Sequence, residues 1–245
     1  MKTYEEYFTN VNNIVKRIFE TQGTRIEQVA EMVSDAISKD GLVHVLGVGH
    51  SHIVAEEVFW RAGTLVPIHA ILEPSMIGHS EITKSAYMEK LEGTGKIICD
   101  YHRILPPDIL IAISNSGNNS MPIDVAIEAK KRGVKTIGIC SFTYTKSLKP
   151  RHSSGKKLMD VVDVSIDNCG QVGDTCIKLE GIEQGLGPTS TISGVYIINS
   201  IVIQAAANLH HKGIQPLVYW SGNLPNGMQA NKEYMDKYWE RIRNL

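Results

Sequence analysis

The stretch that most constrains this chain runs from Ile109 to Pro122. Residues Ile109, Leu110, Ile111, Ala112 and Ile113 form an unbroken apolar run rich in β-branched side chains, as suits a strand covered on both faces. The run gives way to Ser114, Asn115, Ser116, Gly117, Asn118, Asn119 and Ser120, all small and polar. A helix then begins: Ser120 reads as its N-cap, Pro122 falls in the first turn where a missing N–H costs nothing, and Gly133 closes it. Strand, tight turn and helix in this order aim free backbone N–H groups, hydroxyls and the positive end of a helix dipole at one spot above the strand's carboxyl end. An anion suits that spot, and the turn holds no acidic residue to occupy it.

One such turn is an ordinary loop; two that converge are a site. The second lies earlier, where the strand Leu42 to Leu46 runs into Gly47, Val48, Gly49, His50, Ser51 and His52 and then a helix carrying Ala55, Val58, Phe59 and Ala62. A dinucleotide fingerprint would need glycine where His52 stands, so nicotinamide binding is not indicated. His50, Ser51 and His52 are candidate ligand contacts. His44, in mid-strand, reads as a satisfied core histidine.

The rest of the chain alternates in the same manner. Val66 to Leu72, Lys96 to Tyr101, Thr136 to Cys140 and Val161 to Ile166 read as further strands, which makes an α/β fold with a mainly parallel sheet covered on both sides. Two amphipathic helices parted at Gly23 precede the first strand, the earlier one with an aromatic stripe from Tyr4 to Phe19. The basic segment Tyr144 to Lys157 reads as a mobile surface loop over the sheet's edge or mouth. Gly187, Pro188, Thr189, Ser190 and Thr191 introduce a helix, Ile192 to Leu209, whose apolar residues nearly encircle it. A last helix ends near Arg243. The expected organisation is one domain over 1–245, with N-terminal helices in 1–40, a core in 41–212 and a tail with its own helix in 213–245.

A chain of 245 residues with 42% apolar content can bury a full core, and a net charge of −1 argues against nucleic acid or an anionic membrane as the main partner. The acidic start is unlike a signal peptide, and no apolar run is read as a membrane span, so a cytoplasmic protein is expected. Cys99, Cys140, Cys169 and Cys176 show no CxxC spacing and read as reduced thiols, not zinc ligands.

Three stretches together resemble the SIS (sugar isomerase) domain family: Gly47 to Ser51 after the first strand, Ser114 to Gly117 before the central helix, and Gly187 to Thr191 before the long helix. The likeness spans Leu42 to Leu209, and the whole length, with the stretch Glu73 to Glu81 and the tail Ser221 to Asn223, is similar to the UPF0309 subfamily. The resemblance implies a flavodoxin-like three-layer α-β-α sandwich binding a phosphorylated sugar at the carboxyl ends of its strands. It implies that Ser114 and Ser116, with Asn115 and Gly117 in the same motif, hold the phosphate and that Ser51 holds a sugar hydroxyl or the phosphate. Thr189 and Ser190 join them as substrate contacts. Where the family often has Ser or Thr two residues beyond the glycine, this chain has Asn119 with Ser120 beside it, so that contact can pass to either.

The implied activity is aldose–ketose isomerisation of a phosphorylated sugar or amino sugar; a lyase or etherase on a sugar phosphate, or a sensor without catalysis, are the alternatives. Glu73 is the expected base, since it follows the second strand where hexosamine-phosphate isomerases of the family place a Ser-Glu pair. His79 and Glu81 are candidates for ring opening or proton relay, and Glu57 on the helix after the first turn is a further carboxylate. Phosphoheptose isomerases of the family use a Glu and a His from helices; this chain has Arg61 and no His at the matching positions, so their metal site does not transfer and neither metal nor cofactor is expected. No helix-turn-helix is read ahead of the domain. The aromatic first helix and the apolar long helix point to a homo-oligomer, a dimer or tetramer, with sites near the subunit interface.

Overall fold

The apolar runs become five parallel strands, and their order decides where a ligand can sit. In the computed structural model, which describes residues 2–77, 82–243 and 245, these are β1 (Val43–Gly47), β2 (Ile68–Ile71), β3 (Ile109–Ile113), β4 (Lys135–Cys140) and β5 (Val164–Asp167). They lie in the order β2-β1-β3-β4-β5. All four pairings are parallel, with Val43 opposite both Ile68 and Ile109, and Ile111 opposite Ile137. From β1 the chain steps outward one way to β2 and then the other way to β3. The crevice above the β1/β3 boundary is therefore the switch point at which ligands of such sheets bind.

Helices cover both faces. They are α1 (Thr3–Ser38), α2 (His52–Glu57), α3 (Ile82–Met88), α4 (Thr94–Tyr101), α5 (Ser120–Lys131), α6 (Phe142–Ser147), α7 (Leu158–Val161), α8 (Ser190–His211) and α9 (Gly227–Tyr238). Alternation along the strands sorts the core in two. Val43, Val45, Ile109, Ile111 and Ile137 face α1, α2 and α8, while Leu46, Ile71, Leu110 and Ala112 face α4 and α5. A third cluster joins Leu42 and Val66 to Tyr219, Tyr238 and Ile242 of the tail.

Several elements differ from the sequence expectation. The two N-terminal helices are one, because a glycine inside a helix costs only about 1 kcal/mol relative to alanine, and buried Ile18, Gln22 and Ile26 carry α1 past Gly23. Lys96 to Tyr101 is not a strand but most of α4: buried Gly95, Ile98, Cys99 and His102 recur at helical spacing while Ile97 and Tyr101 are exposed. Val161 ends a helical turn, and β5 starts only at Val164. The N-cap of α5 is Asn119, not Ser120. Finally, α8 is long and apolar enough to cross a membrane by length and composition. Here its Ile197, Ile198, Ile201 and Val202 are buried in the core shared with α1 and the sheet.

Candidate functional site

The switch-point crevice is built from two turns. After β3, Ser114 N–H donates to the Ile139 carbonyl (3.0 Å) and Gly117 N–H to the Ser114 carbonyl (2.9 Å), which curls the chain over the strand end. Gly117 has φ +60°, and a Cβ there would stand 2.6 Å from Thr145 Oγ1, so a side chain at that position would strain the turn and displace Thr145. The amides of Ser116, Asn119 and Ser120, and the hydroxyls of Ser114 and Ser120, make no hydrogen bond among the described residues. The positive end of the 12-residue helix α5 stands behind them, an electrostatic setting that favours negative charge.

After β1, Gly47 is held against the next turn so closely that a Cβ would come within 2.2 Å of the Ser51 carbonyl. His50 is exposed and Ser51 half-buried at the apex, and the Ser51 hydroxyl makes no hydrogen bond among the described residues. Gly49 N–H donates to the Met76 carbonyl (2.8 Å) and Met76 N–H to the Glu73 carbonyl (2.8 Å), so the turn after β2 is fastened to the turn after β1.

Other residues singled out from the sequence have hydrogen-bond or ion-pair partners of their own. The Asn115 side chain accepts from Asn168 Nδ2 (2.8 Å) and so joins the β3 and β5 loops. His52 is buried, with Nδ1 on the Gly49 carbonyl and Nε2 3.6 Å from Glu56, and pins the turn from below. Glu57 pairs with Arg61 (3.2 Å) at the far end of α2. Thr189 and Ser190 start α8, but Asp174 already accepts from both amides (3.2 and 2.9 Å) and from the Ser190 hydroxyl (2.6 Å). A carboxylate thus fills that helix terminus. Glu73 is tied by Oε1 to His102 Nε2 (3.0 Å). His79 and Glu81 lie outside the described residues.

Two residues not singled out by the sequence complete the crevice. Glu89, just past α3, lies against the first turn, its Oε2 3.5 Å from the Cβ position of Gly49, and its carbonyl accepts from Met121 N–H in the first turn of α5 (3.2 Å). Its half-buried carboxylate makes no hydrogen bond or ion pair among the described residues. Burial pushes its pKa up, opposed by the charges of Lys90 and Arg151. Arg151 itself belongs to the basic segment, which is anchored and not a free loop. Asn118 Nδ2 donates to the Lys149 carbonyl (2.9 Å) while Asn118 Oδ1 accepts from Arg151 N–H (3.2 Å), and His152 bonds Asp124 on α5 (2.9 Å). The backbone of Arg151 is thereby held against Asn118, and its charge acts on Glu89. Among the described residues no group of His, Cys, Asp and Glu is arranged to hold a metal ion.

A parallel sheet in this order, with a Ser-rich turn at its switch point, defines an open three-layer α/β architecture, and comparison with known proteins gives it a family. The chain belongs to the SIS domain family, whose sequence model matches residues 6–141. Over nearly its full length it is similar to UPF0309 proteins: 36% identical over 238 residues to that of Geobacillus thermodenitrificans (strain NG80-2), covering 97% of this chain and 96% of the relative. The UPF0309 protein of Listeria monocytogenes serotype 4b (strain CLIP80459) is 38% identical over 229 residues, covering 94% and 93%. Solved structures share the fold at low identity. A phosphoheptose isomerase from Francisella tularensis has a TM-score of 0.53 at 15% identity, covering 84% of this chain and 98% of its own. The Vibrio vulnificus NanR protein complexed with ManNAc-6P has a TM-score of 0.51 at 13% identity, covering 99% of this chain and 71% of its own.

Proposed function

We propose that this protein binds a phosphorylated sugar or amino sugar in the β1/β3 crevice and interconverts its aldose and ketose forms. In this reading the phosphate rests on the amides of Ser116, Asn119 and Ser120 and the hydroxyls of Ser114 and Ser120, with Arg151 as its cationic neighbour. Ser51 and His50 face the sugar. The fold it shares with a phosphoheptose isomerase and with a protein complexed with ManNAc-6P supports the ligand class.

The observation that carries catalysis is Glu89, whose carboxylate has no partner among the described residues and a pKa raised by burial, beside the turn after β1. Isomerisation needs one group to carry a proton between adjacent carbons and another to open the ring and move a proton between oxygens. Glu89 serves as the first. Glu73, whose turn is fastened to Gly49 and whose carboxylate is backed by His102, serves as the second. A second copy of the chain covers the exposed stripe of α1 and brings the crevice near a subunit boundary. Four unpaired cysteines accord with a cytoplasmic setting.

The test is a panel of aldose and ketose phosphates, including N-acetylated amino sugars, monitored by thermal unfolding for binding and by proton NMR in deuterated water for exchange at C2. The expected result is a raised unfolding temperature with the preferred sugar and deuterium incorporation that Glu89→Gln slows by about 10² to 10⁴ without loss of binding. Binding without exchange or product would replace the enzyme by a sensor, loss of a substituent would make it a lyase, and no binding by any phosphosugar would overturn the proposal.

A further inference from the structure

Behind Glu73 lies a continuous chain of buried polar groups. Asp108 Oδ2 is 3.1 Å from His44 Nε2, His44 Nδ1 is 3.1 Å from His69 Nδ1, His69 Nε2 is 3.3 Å from His102 Nδ1, and His102 Nε2 is 3.0 Å from Glu73 Oε1. His44 and His69 are wholly enclosed and His102 is 2% exposed. Each ring comes from a different element: His44 from β1, His69 from β2 and His102 from the end of α4. The rings stand 5.1 and 4.9 Å apart, and Tyr101 closes the outer side of His102 edge-on.

Counting protons along this chain gives a result that neither carboxylate shows alone. The chain has four contacts, and three neutral imidazoles bring one N–H each. A complete set of hydrogen bonds therefore requires one proton more than ionised carboxylates and neutral rings supply. Asp108 is not its seat: its oxygens also accept from the Leu42 amide (2.8 Å) and the Leu105 amide (3.4 Å). Burial pushes the Asp108 carboxyl up, but the donors from His44, Leu42 and Leu105 outweigh that and leave it below the usual carboxylate range. Burial likewise holds His44 and His69 below the usual imidazole range, and the nearby charges of Arg241 and Arg243 from the tail push the same way. His44 then donates to Asp108, His69 to His44 and His102 to His69, which leaves the contact between His102 Nε2 and Glu73 as the one whose proton the neutral rings do not supply.

We propose that Asp108, His44, His69 and His102 form a proton relay that serves Glu73, exchanging its proton with solvent through the opposite end of the sheet. The far end reaches the surface, because Asp108, its side chain 8% exposed, lines a cleft with Asp35, Lys39 and Lys135. A proton taken up by Glu73 passes to His102 Nε2 as the His102 Nδ1 proton moves to His69 Nε2. The His69 Nδ1 proton moves to His44 Nδ1, and the His44 Nε2 proton moves to Asp108 and out. Each ring gains one proton and loses one, every tautomer inverts, and no electrons are transferred. The three histidines and Asp108 are positioning residues; only Glu73 meets the sugar. This inference rests on the acid–base duty assigned to Glu73 in the proposed function.

The test reads the tautomers directly, with no substrate, from long-range nitrogen–proton correlation spectra of the nitrogen-15-labelled full chain at neutral pH. Expected in the native protein are His44 protonated on Nε2 and His69 and His102 protonated on Nδ1. Asp108→Asn keeps an acceptor for the Leu42 amide (2.8 Å), gives up the longer Leu105 contact (3.4 Å) and turns a donor toward His44 Nε2. It should therefore invert all three rings, ending with His102 protonated on Nε2 alone, at a distance of three side chains from the change. Native tautomers of His69 and His102 in a variant whose thermal unfolding shows the fold retained would overturn the relay. Glu73→Gln guards against a failure of Asp108→Asn to fold: it should leave all three tautomers as in the native protein and make His102 Nε2 a pure acceptor. His69 protonated on Nε2 in the native protein or in Glu73→Gln would also overturn the proposal. Because no sugar is present, these outcomes are independent of whether a phosphosugar binds.

Discussion

Glu89 lies half-buried against Gly49 of the first turn, and burial there pushes its carboxyl pKa up. In the chain it stands between Met88 and Lys90 in an unremarkable helix end, and nothing in its spacing separates it from Glu56 or Glu92. It becomes legible only when the fold lays it against Gly49 and Met121. The places of Glu73 and the two Ser-rich turns after β2, β1 and β3 were legible because strand ends can be read from apolar runs, and in a parallel sheet strand ends converge. Thr189 and Ser190 show the limit of that logic: a helix terminus visible in the sequence is filled by Asp174, fifteen residues away from the nearer of them. His44 was legible as a core histidine, but its partners His69, His102 and Asp108 were not, since they come from separate elements. At this scale, Ser116→Asp should place a carboxylate among the donors and weaken phosphosugar binding by several kcal/mol, to be checked by calorimetry. Unaltered affinity would show that the phosphate lies elsewhere. Stability should also depend on pH. His44 and His69 have folded pKa values below their unfolded ones, so the unfolded chain binds more protons once pH falls below about 6.5. Their contribution is intact above that value and declines beneath it, by about tenfold in the folding constant per pH unit for each ring that stays neutral. Denaturant midpoints measured between pH 5 and 8 with His44→Gln as control would show the slope, and a flat profile would count against it.

At the scale of elements, the unit from β3 to α5 was read nearly whole, because a buried strand, a glycine turn and a Pro in the first helical turn all agree. Disagreement arose where two signals compete. Ile97 and Ile98 in succession suit a strand, and only the burial of Gly95, Ile98, Cys99 and His102 on one side reveals the helix. At Gly23 a local penalty was set against the packing of a 36-residue helix and lost. The segment after β4 was misread in another way: its charges suggested a free loop, but Asn118 and Asp124 of the α5 unit hold it down by tertiary hydrogen bonds that no local pattern announces. The β3–α5 turn yields a prediction of its own. Gly117→Ala forces a side chain into left-handed backbone, costing about 1–2 kcal/mol, and adds the contact with Thr145, which has little room to give. The variant should unfold at lower temperature and bind phosphosugars more weakly, while Gly155→Ala, equally left-handed but with open space around its Cβ, should lose stability alone. Equal losses of binding in both would detach the turn's shape from the site.

The whole molecule leaves a surface that its own fold does not cover. Helix α1 buries Ile14, Ile18 and Ile26 against the sheet and α8, yet Tyr4, Phe8 and Phe19 on another side of it are 66%, 67% and 71% exposed. With half-buried Val11 and Val15 they recur every three or four residues, which places them on one stripe of the helix. Ile203 on the adjoining α8 is 65% exposed as well. A monomer in water gains nothing from such a stripe, whereas two copies crossing along α1 would bury both at once, each aromatic removing on the order of 150–250 Å² from solvent. The same α1 reaches the loop before α8, where Tyr7 donates to the Pro188 carbonyl (2.8 Å), so a dimer formed there adjoins the start of α8 and the first turn packed beside it. Sedimentation should accordingly show a dimer or tetramer at micromolar concentration. Phe8→Glu combined with Phe19→Glu, both on the exposed side and so harmless to the core, should release monomers with unchanged helix content. If the native chain sediments as a monomer, the stripe has another occupant and the crevice must be complete within one chain.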